Sequence, residues 1–449
     1  MGVAITRQPA SAMGNRSSHP DFVAWYRRTR ARSRAIFAVL AEDAYYTQPI
    51  ALRHPIVFYD GHLPGFAFNT LVKKALGKPG IDARLEALFA RGIDPHEASG
   101  QQASSWPSRD AVRAFVDEAD RQVVEALGRA DLDRPGDPLL TGAEAAYAIV
   151  EHELMHQETL LYMWHRLPYH LKTAPQEYRP LVDGSAPPQG WVDVPAGDAT
   201  LGVDRGAVSF AWDNEQPACS AHVQSFSIDR YDVTNARFME FVEAGGYRDA
   251  RWWTAPDWQW VQEQGLAHPR FWERADGWHW RGMFGLIPLP AAWPVYVSFA
   301  EASAFARWSG TRLPTEAEFQ RAAFGSPDGE RPHPWGTDEP DARHGVFDFN
   351  SWDPEAAGSH PAGASAWGIQ DLVGNGWEWT NTVFAPFPGF QPIPSYPEYS
   401  ADFFDGEHFV LKGASPATGR ALMRPTFRNW FRPRYPYVYA TFRCVKRLD

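Results

Sequence analysis

Apolar residues in the first third of the chain recur every three or four positions. Between Asp21 and Tyr46 they fall at Phe22, Trp25, Tyr26, Ile36, Phe37 and Leu40, with arginines between them. That spacing predicts an amphipathic helix. A second helix is expected from about Pro55 to Leu76, opening on Ile56, Val57 and Phe58, with Gly77 where a C′ glycine would sit. A third runs from Arg109 to Ala130, with Ser108 as N-cap and Val112, Phe115, Val116, Val123, Val124 and Leu127 at helical spacing. A fourth runs from about Gly142 to Leu167, started by Thr141 and ended at Pro168. Four such helices predict a four-helix bundle. Beyond about residue 185 the helical period fades into short strand-like runs broken by Gly, Pro, Asn and Asp. Two short helices remain, Asn235–Ala244 and Phe299–Ser309. Residues 173–190 carry Pro175, Pro180, Pro187 and Pro188 and read as a linker. The expected organisation is therefore a bundle over 1–172, a linker over 173–190 and a second domain over 191–449. No repeat of 20–50 residues is present.

Composition sharpens the contrast between the halves. The chain has 20 Trp, 28 Phe, 16 Tyr, 38 Pro and 36 Gly, and most of the Trp, Pro and Gly follow residue 185. Such a half is held by aromatic packing between irregular segments. Lys and Arg number 43 against 54 Asp and Glu, a formal charge of −11. That argues against a nucleic-acid partner, which needs a basic face. Two cysteines form no disulfide framework and fit a reducing, cytoplasmic setting. No apolar run reaches the roughly 18 residues of a membrane span. Met1 to Pro20 lacks the apolar stretch of a signal peptide, and Met1-Gly2 with Thr6 meets the myristoylation pattern by chance.

Candidate chemistry begins in the fourth helix, at His152-Glu153-Leu154-Met155-His156. Two histidines at i and i+4 share a helical face, so both imidazoles reach one ion. A catalytic site needs a third ligand, and His62 on the second helix is the best candidate. His54, His96, His165 and His170 compete with it. The His-Glu-x-x-His spacing is also that of zinc metalloproteases, with Glu153 as base. Nothing downstream resembles such a protease. A three-histidine site with open positions suits Fe(II) or Zn(II).

Three stretches of the second half are distinctive: Tyr231-Asp232-Val233-Thr234-Asn235-Ala236-Arg237-Phe238, Arg312-Leu313-Pro314-Thr315-Glu316-Ala317-Glu318-Phe319, and Asp371-Leu372-Val373-Gly374-Asn375-Gly376-Trp377-Glu378-Trp379-Thr380. Together they resemble the formylglycine-generating enzyme superfamily, over roughly Trp191 to Leu448. That resemblance implies a variant of the C-type lectin fold. The formylglycine-forming members bind copper through a cysteine pair near the C-terminus. Cys219 and Cys444 are isolated here and read as packing residues, so sulfatase activation is not expected.

A helical bundle carrying HxxxH, joined to this domain, resembles the EgtB-type sulfoxide synthases of ergothioneine biosynthesis, whose bundle is similar to the DinB superfamily. The resemblance covers nearly the whole chain. It implies an α+β protein: an N-terminal DinB-like four-helix bundle plus a C-terminal formylglycine-generating-enzyme-like (C-type-lectin-like) domain. It implies a non-haem Fe(II) held by His62, His152 and His156, with hercynine, a thiol and O2 as substrates. The run Met423-Arg424-Pro425-Thr426-Phe427-Arg428-Asn429-Trp430 matches the family's substrate stretch, where Asn429 and Trp430 would contact the trimethylammonium betaine. A Trp face attracts a quaternary ammonium by cation–π interaction. The family also places a catalytic tyrosine in a loop after the Trp-Glu-Trp-Thr motif, which implies Tyr396, with Tyr399 next.

The chain departs from the thiol-using members at the donor end. Where users of γ-glutamylcysteine carry an Asp after the Asn-Trp pair and an Arg four residues later, this chain has Phe431 and Tyr435. Where the family often has Gln before the second histidine, it has Met155. The betaine end looks kept and the donor end changed. The selenoneine-synthase branch is similar in architecture and joins selenium from a selenosugar to hercynine. An aromatic, uncharged donor pocket suits a sugar ring, and Tyr59-Asp60-Gly61-His62-Leu63-Pro64-Gly65-Phe66 also looks more like that branch. Three alternatives stay open: sulfoxide formation from cysteine or γ-glutamylcysteine, a DinB-type zinc thiol transferase, and a ligand-binding protein on a lectin-like scaffold.

Overall fold

The computed structural model describes residues 5–6, 19–90, 92, 106–182 and 184–448. Met1, Gly2 and the competing ligand His96 lie outside the described residues. The chain forms two units. One contains the described residues of 13–177 together with Pro392–Pro397; the other contains Tyr178–Gln391 and most of Glu398–Asp449. The return of Pro392–Pro397 to the first unit has no counterpart in a linear division of the sequence.

The first unit is helical. Its α-helices are α1 (Phe22–Ala38), α2 (Ile56–Ala67), α3 (Ala83–Phe89), α4 (Arg109–Arg129) and α5 (Glu144–Arg166). A buried ion network ties three of them together. Asp120 on α4 accepts from Tyr26 Oη (2.7 Å), Arg30 Nε (2.9 Å) and Arg34 Nη2 (2.7 Å), while Arg30 Nη1 donates to Glu153 on α5 (2.9 Å). Ser33 Oγ also donates to Glu153, at 2.6 Å, and Gln157 Nε2 donates to Thr29 O and Ser33 Oγ. A buried charge without these partners would cost several kcal/mol, so the network fixes the register of the bundle.

Three sequence expectations need correction, and one helix is additional. The first helix stops at Ala38, short of Tyr46, because the backbone at 39–41 pairs elsewhere: Thr173 N donates to Val39 O and Ala41 N to Leu171 O. The second starts on schedule, but Pro64 lies inside it and from Phe68 to Ala75 the turn widens to a π-helix. Proline removes an i→i−4 bond and crowds the preceding turn. Gly77 ends the segment at φ +64°, as its position predicts. Thr141 does not cap the fourth helix. Its hydroxyl binds Gly136 N and the carbonyls of Arg134 and Asp137, closing the preceding loop, and Ala143 enters the helix in left-handed geometry. Helix α3 carries no signal strong enough to be read from so short a run.

Gly61 is required for packing. A Cβ there would meet the Phe89 ring at 2.3 Å. Gly61→Ala forces Phe89 to move, and overpacking of this kind costs about 1–3 kcal/mol. Calorimetry should show a lower melting temperature for the variant. An unchanged value would mean that α2 and α3 separate easily.

The second unit is built on sheets. The largest has four strands in the order Asn429–Phe431, Phe409–Ala414, Gly376–Val383, Ala440–Thr441; the first two pairings are antiparallel and the last parallel. The unit also contains antiparallel three-stranded sheets, one joining Val445–Arg447, Phe226–Asp229 and Trp191–Val194. Its α-helices among the described residues are α6 (Asn235–Glu243), α7 (Ala255–Gln264), α8 (Phe299–Trp308) and α9 (Glu316–Phe324). The pattern predicts α6 and α8; α7 and α9 are additional. Helix α9 was readable from the Thr315–Glu318 capping box, which Arg312 reinforces by binding Glu318 at 2.7 and 2.5 Å.

The distinctive stretches mainly build this fold. Arg443, fully buried, binds Glu378 (2.6 and 2.7 Å) and Asp232 (3.2 Å), joining two of the stretches. Asn375, at φ +66°, holds Glu355 through both amide atoms. Cys219 and Cys444 are free and buried, and burial pushes their thiols up to about 11 and about 12. They are packing residues, as expected.

Candidate metal centre

His62 leaves α2 one turn beyond Phe58, and its ring lies on that phenylalanine at 4.8 Å. Its Nδ1–H donates to Phe89 O at 2.7 Å, which fixes the tautomer and leaves Nε2 as a lone pair. His152 and His156 share one face of α5. The Nε2 atom of His156 lies 3.2 Å from that of His62 and 3.1 Å from that of His152. The three are 4, 3 and 7% exposed. Among the described residues they form the one group of three or more potential ligands whose atoms all lie within 4.8 Å of one another.

Electrostatics favour neutral rings. Burial lowers His62 to about 4, and burial with the neighbouring imidazoles pushes His152 and His156 well below the usual range. Nδ1 of His152 and of His156 is buried and has no hydrogen-bond partner within the protein. No arrangement of protons satisfies the whole trio: a proton on His156 Nε2 can bond to the lone pair of one neighbouring Nε2, but the buried Nδ1 atoms of His152 and His156 meet no partner in any tautomer. A cation at the centre would take all three converging Nε2 lone pairs at once. At a metal–nitrogen distance near 2.1 Å, two ligand nitrogens of one ion stand about 3.0–3.4 Å apart, close to the spacings found here. The residues therefore fit a three-imidazole metal site with open positions.

The competitors are placed elsewhere. His54 Nε2 binds Gly92 O at 2.9 Å, His165 is buried outside the cluster, and His170 is exposed. Glu153 turns away to Arg30 and Ser33, as a neighbour about 100° around the helix must, so it is not available as a protease base.

Besides Phe58 and Tyr59, Phe66 and Tyr396 adjoin the cluster. Phe66, four residues after His62, stacks on His152 at 3.5 Å with the planes 11° apart. Tyr396, in the returning Pro392–Pro397 segment, packs edge-on to Phe66 at 5.2 Å and to His152 at 6.1 Å. Phe66 lay within a quoted motif but had no role in the sequence reading; its i+4 relation to His62 is the signal that could have given one. Met155 sits partly exposed just before His156.

The remaining residues belong to the second unit. Trp430 lies on the edge strand, stacked on Phe384 at 4.4 Å and bordered by Tyr399 (5.3 Å) and Phe403 (5.6 Å). Tyr399 is buried and stacks on Trp212 at 4.1 Å, so it forms a wall beside Trp430, whereas Tyr396 adjoins the histidines. Asn429 Oδ1 accepts from Trp430 N at 2.9 Å. Phe431 and Tyr435 stack in an offset arrangement, with parallel planes and centroids 5.4 Å apart. Lys412, missed in the sequence, donates to Pro425 O and Phe427 O and so ties down the segment leading to Asn429.

No helix among the described residues is long and apolar enough to cross a membrane. Residues 180–448 match the model of the sulfatase-modifying factor enzyme 1-like domain, and residues 26–160 that of the DinB superfamily. A hercynine oxygenase of Mycolicibacterium smegmatis is 34% identical over 92% of this chain and 96% of its own length. One from Mycolicibacterium thermoresistibile is 35% identical, covering 83% of this chain and 82% of its own. Ergothioneine biosynthesis protein 1 of Schizosaccharomyces pombe is 30% identical over 91% of this chain and 54% of its own length. With a DinB-superfamily bundle, a sulfatase-modifying-factor-like domain and relatives matched along nearly their full length, the chain belongs to the hercynine oxygenase (EgtB-type) family.

Proposed function

We propose that this protein is an iron(II)- and O2-dependent enzyme that joins selenium from a selenosugar to C2 of the hercynine imidazole. The observation that carries the metal reading is the convergence of three buried, neutral imidazoles that no proton arrangement satisfies. Iron(II) bound by His62, His152 and His156 supplies the redox chemistry with O2. The chain's own groups orient and protect. Asn429 and the face of Trp430 hold the trimethylammonium betaine. Phe66 and the burial of the histidines limit water at the reacting centre. Tyr396 delivers a proton. In the overall balance a C2–H and an Se–H bond are replaced by C–Se and Se–O bonds. O2 accepts four electrons, and its second oxygen leaves as water.

The donor assignment rests on Phe431 and Tyr435. Where thiol-using members of the family carry an acid and an arginine, this chain presents two stacked rings. They offer no charged fork to an amino-acid thiol, while their faces suit the C–H face of a sugar. The test is an anaerobic Fe(II) incubation with hercynine and either a selenosugar, cysteine or γ-glutamylcysteine, exposed to air and read by mass spectrometry. The hercynine–selenosugar selenoxide is expected from the selenosugar alone, or selenoneine where an added thiol reduces the selenenic acid left when the sugar eliminates. A sulfoxide from either thiol, with no selenium product, overturns the donor assignment and restores the ergothioneine reading. Zinc-supported transfer without O2 consumption overturns the oxidative one.

Trp430→Ala should weaken hercynine binding about 5- to 30-fold, the range of a cation–π contact of about 1–2 kcal/mol. Titration calorimetry with hercynine and with histidine, which lacks the methyl groups, checks this. Equal losses for both ligands would show that Trp430 does not read the quaternary ammonium.

A further inference from the structure

We propose that Lys74 and Glu144 form a two-point clamp that positions Tyr396 beside the histidine cluster. The inference rests on the reading of Tyr396 as proton donor, and its test separates the two. Pro392–Pro397 contains three prolines, which lack N–H groups and cannot complete a strand ladder. The segment must be held by other means. Lys74 Nζ donates to the carbonyls of Pro394 (2.9 Å) and Ser395 (3.2 Å). Glu144, the first residue of α5, accepts from Ser395 N–H through Oε1 at 3.0 Å. Opposite charges on two helical segments thus take the backbone acceptors and the donor next to Tyr396. Ile393 and Ser395 are buried at 2 and 4% exposure, and Tyr396 N closes a turn onto Ile393 O at 3.2 Å.

The π-helix contributes to this geometry. Lys73 and Lys74 lie near its end, where five-residue turns have reset the direction of successive side chains. Lys73 reaches Glu86, which also holds Ile81 N and Asp82 N, while Lys74 reaches the strap. From the strap, contact runs through Tyr396 to Phe66 and to His152. Lys74 itself touches none of the candidate ligands; its part is positioning.

The test is a mutant cycle with a second readout that needs no turnover. Lys74→Met keeps the aliphatic stem of an exposed residue and removes the donor; Glu144→Met keeps the side-chain length and removes the acceptor. Each should lower kcat about tenfold, as misplacement of a reacting group does, with the hercynine KM unchanged. Lys74→Arg should restore activity. Added to Tyr396→Phe, Lys74→Met should cause no further loss, because both act through one hydroxyl. Independently, 3-fluorotyrosine at position 396 in the metal-free protein should give one ordered 19F resonance, which Lys74→Met shifts towards that of free fluorotyrosine. An unmoved resonance overturns the clamp whatever the activity shows. Full activity of Tyr396→Phe with a resonance that does move would retain the clamp and remove the proton-donor role.

Discussion

Replacing His152 by alanine is expected to abolish metal binding and turnover together. Among the described residues three imidazoles form the ligand group at this site, and two do not hold a divalent ion against water. Loss of hydrogen bonds behind a ligand alone costs 10–100-fold in affinity, so loss of the ligand should reduce activity by about 10³ or more. The structure separates this effect from unfolding. In the metal-free protein His152 is a buried, neutral ring with an unpartnered Nδ1, so its removal relieves one unsatisfied polar group while opening a space beside Phe66. The metal-free melting temperature should therefore change modestly, while the stabilisation that wild type gains on adding Fe(II) disappears. Iron content by mass spectrometry and thermal scans with and without Fe(II) measure both. If His152→Ala retains one iron per chain and turns over within about tenfold of wild type, the ligand set is wrong.

Tyr396→Phe is expected to lower kcat by about 10²-fold or more, the usual worth of a positioned proton donor, while leaving the hercynine KM within about twofold. The substitution removes one hydroxyl and keeps the ring that packs against Phe66 and His152. Binding and orientation should survive, and the loss should appear in the chemical step. Single-turnover kinetics against hercynine binding distinguishes them. Unchanged turnover would return Tyr396 to a packing role. A KM effect with kcat preserved would make it a substrate contact. Both outcomes leave the histidine reading intact, since that stands on separate geometry.

Much of the site was legible because helices repeat locally. His152 and His156 are four apart on one helix, so their common face follows from 3.6 residues per turn. His62 was selected from five candidates by lying on a facing helix of a bundle, and the structure brings it within 3.2 Å of His156. The caps at Ser108 and the glycine at 77 were equally local, and both stand where the pattern puts them. Local rules failed where the backbone found distant partners. The first helix ends early because residues 39–41 pair with 171–173. Thr141 binds back into its own loop instead of capping. The π-helix after Pro64 changes which way Lys73 and Lys74 point, and no period of apolar residues reports that change.

The sequence by itself determined the two unlike halves, the helical register of the histidine pair, and the family through its motifs. It also put Phe431 and Tyr435 at the positions where, by the family resemblance, an acid and an arginine are expected in users of γ-glutamylcysteine. These are properties of composition, of short spacings and of residue identity. Only the tertiary structure decided that the three imidazoles converge with no proton arrangement to satisfy them, that Phe431 and Tyr435 stack on each other, and that Tyr396 and Tyr399 part company. The two tyrosines stand three residues apart in a proline-rich loop that carries no periodicity, so nothing local orients them. Their places are set by side chains far away in sequence: Lys74, Glu144 and Phe66 for one, Trp212 and Trp430 for the other.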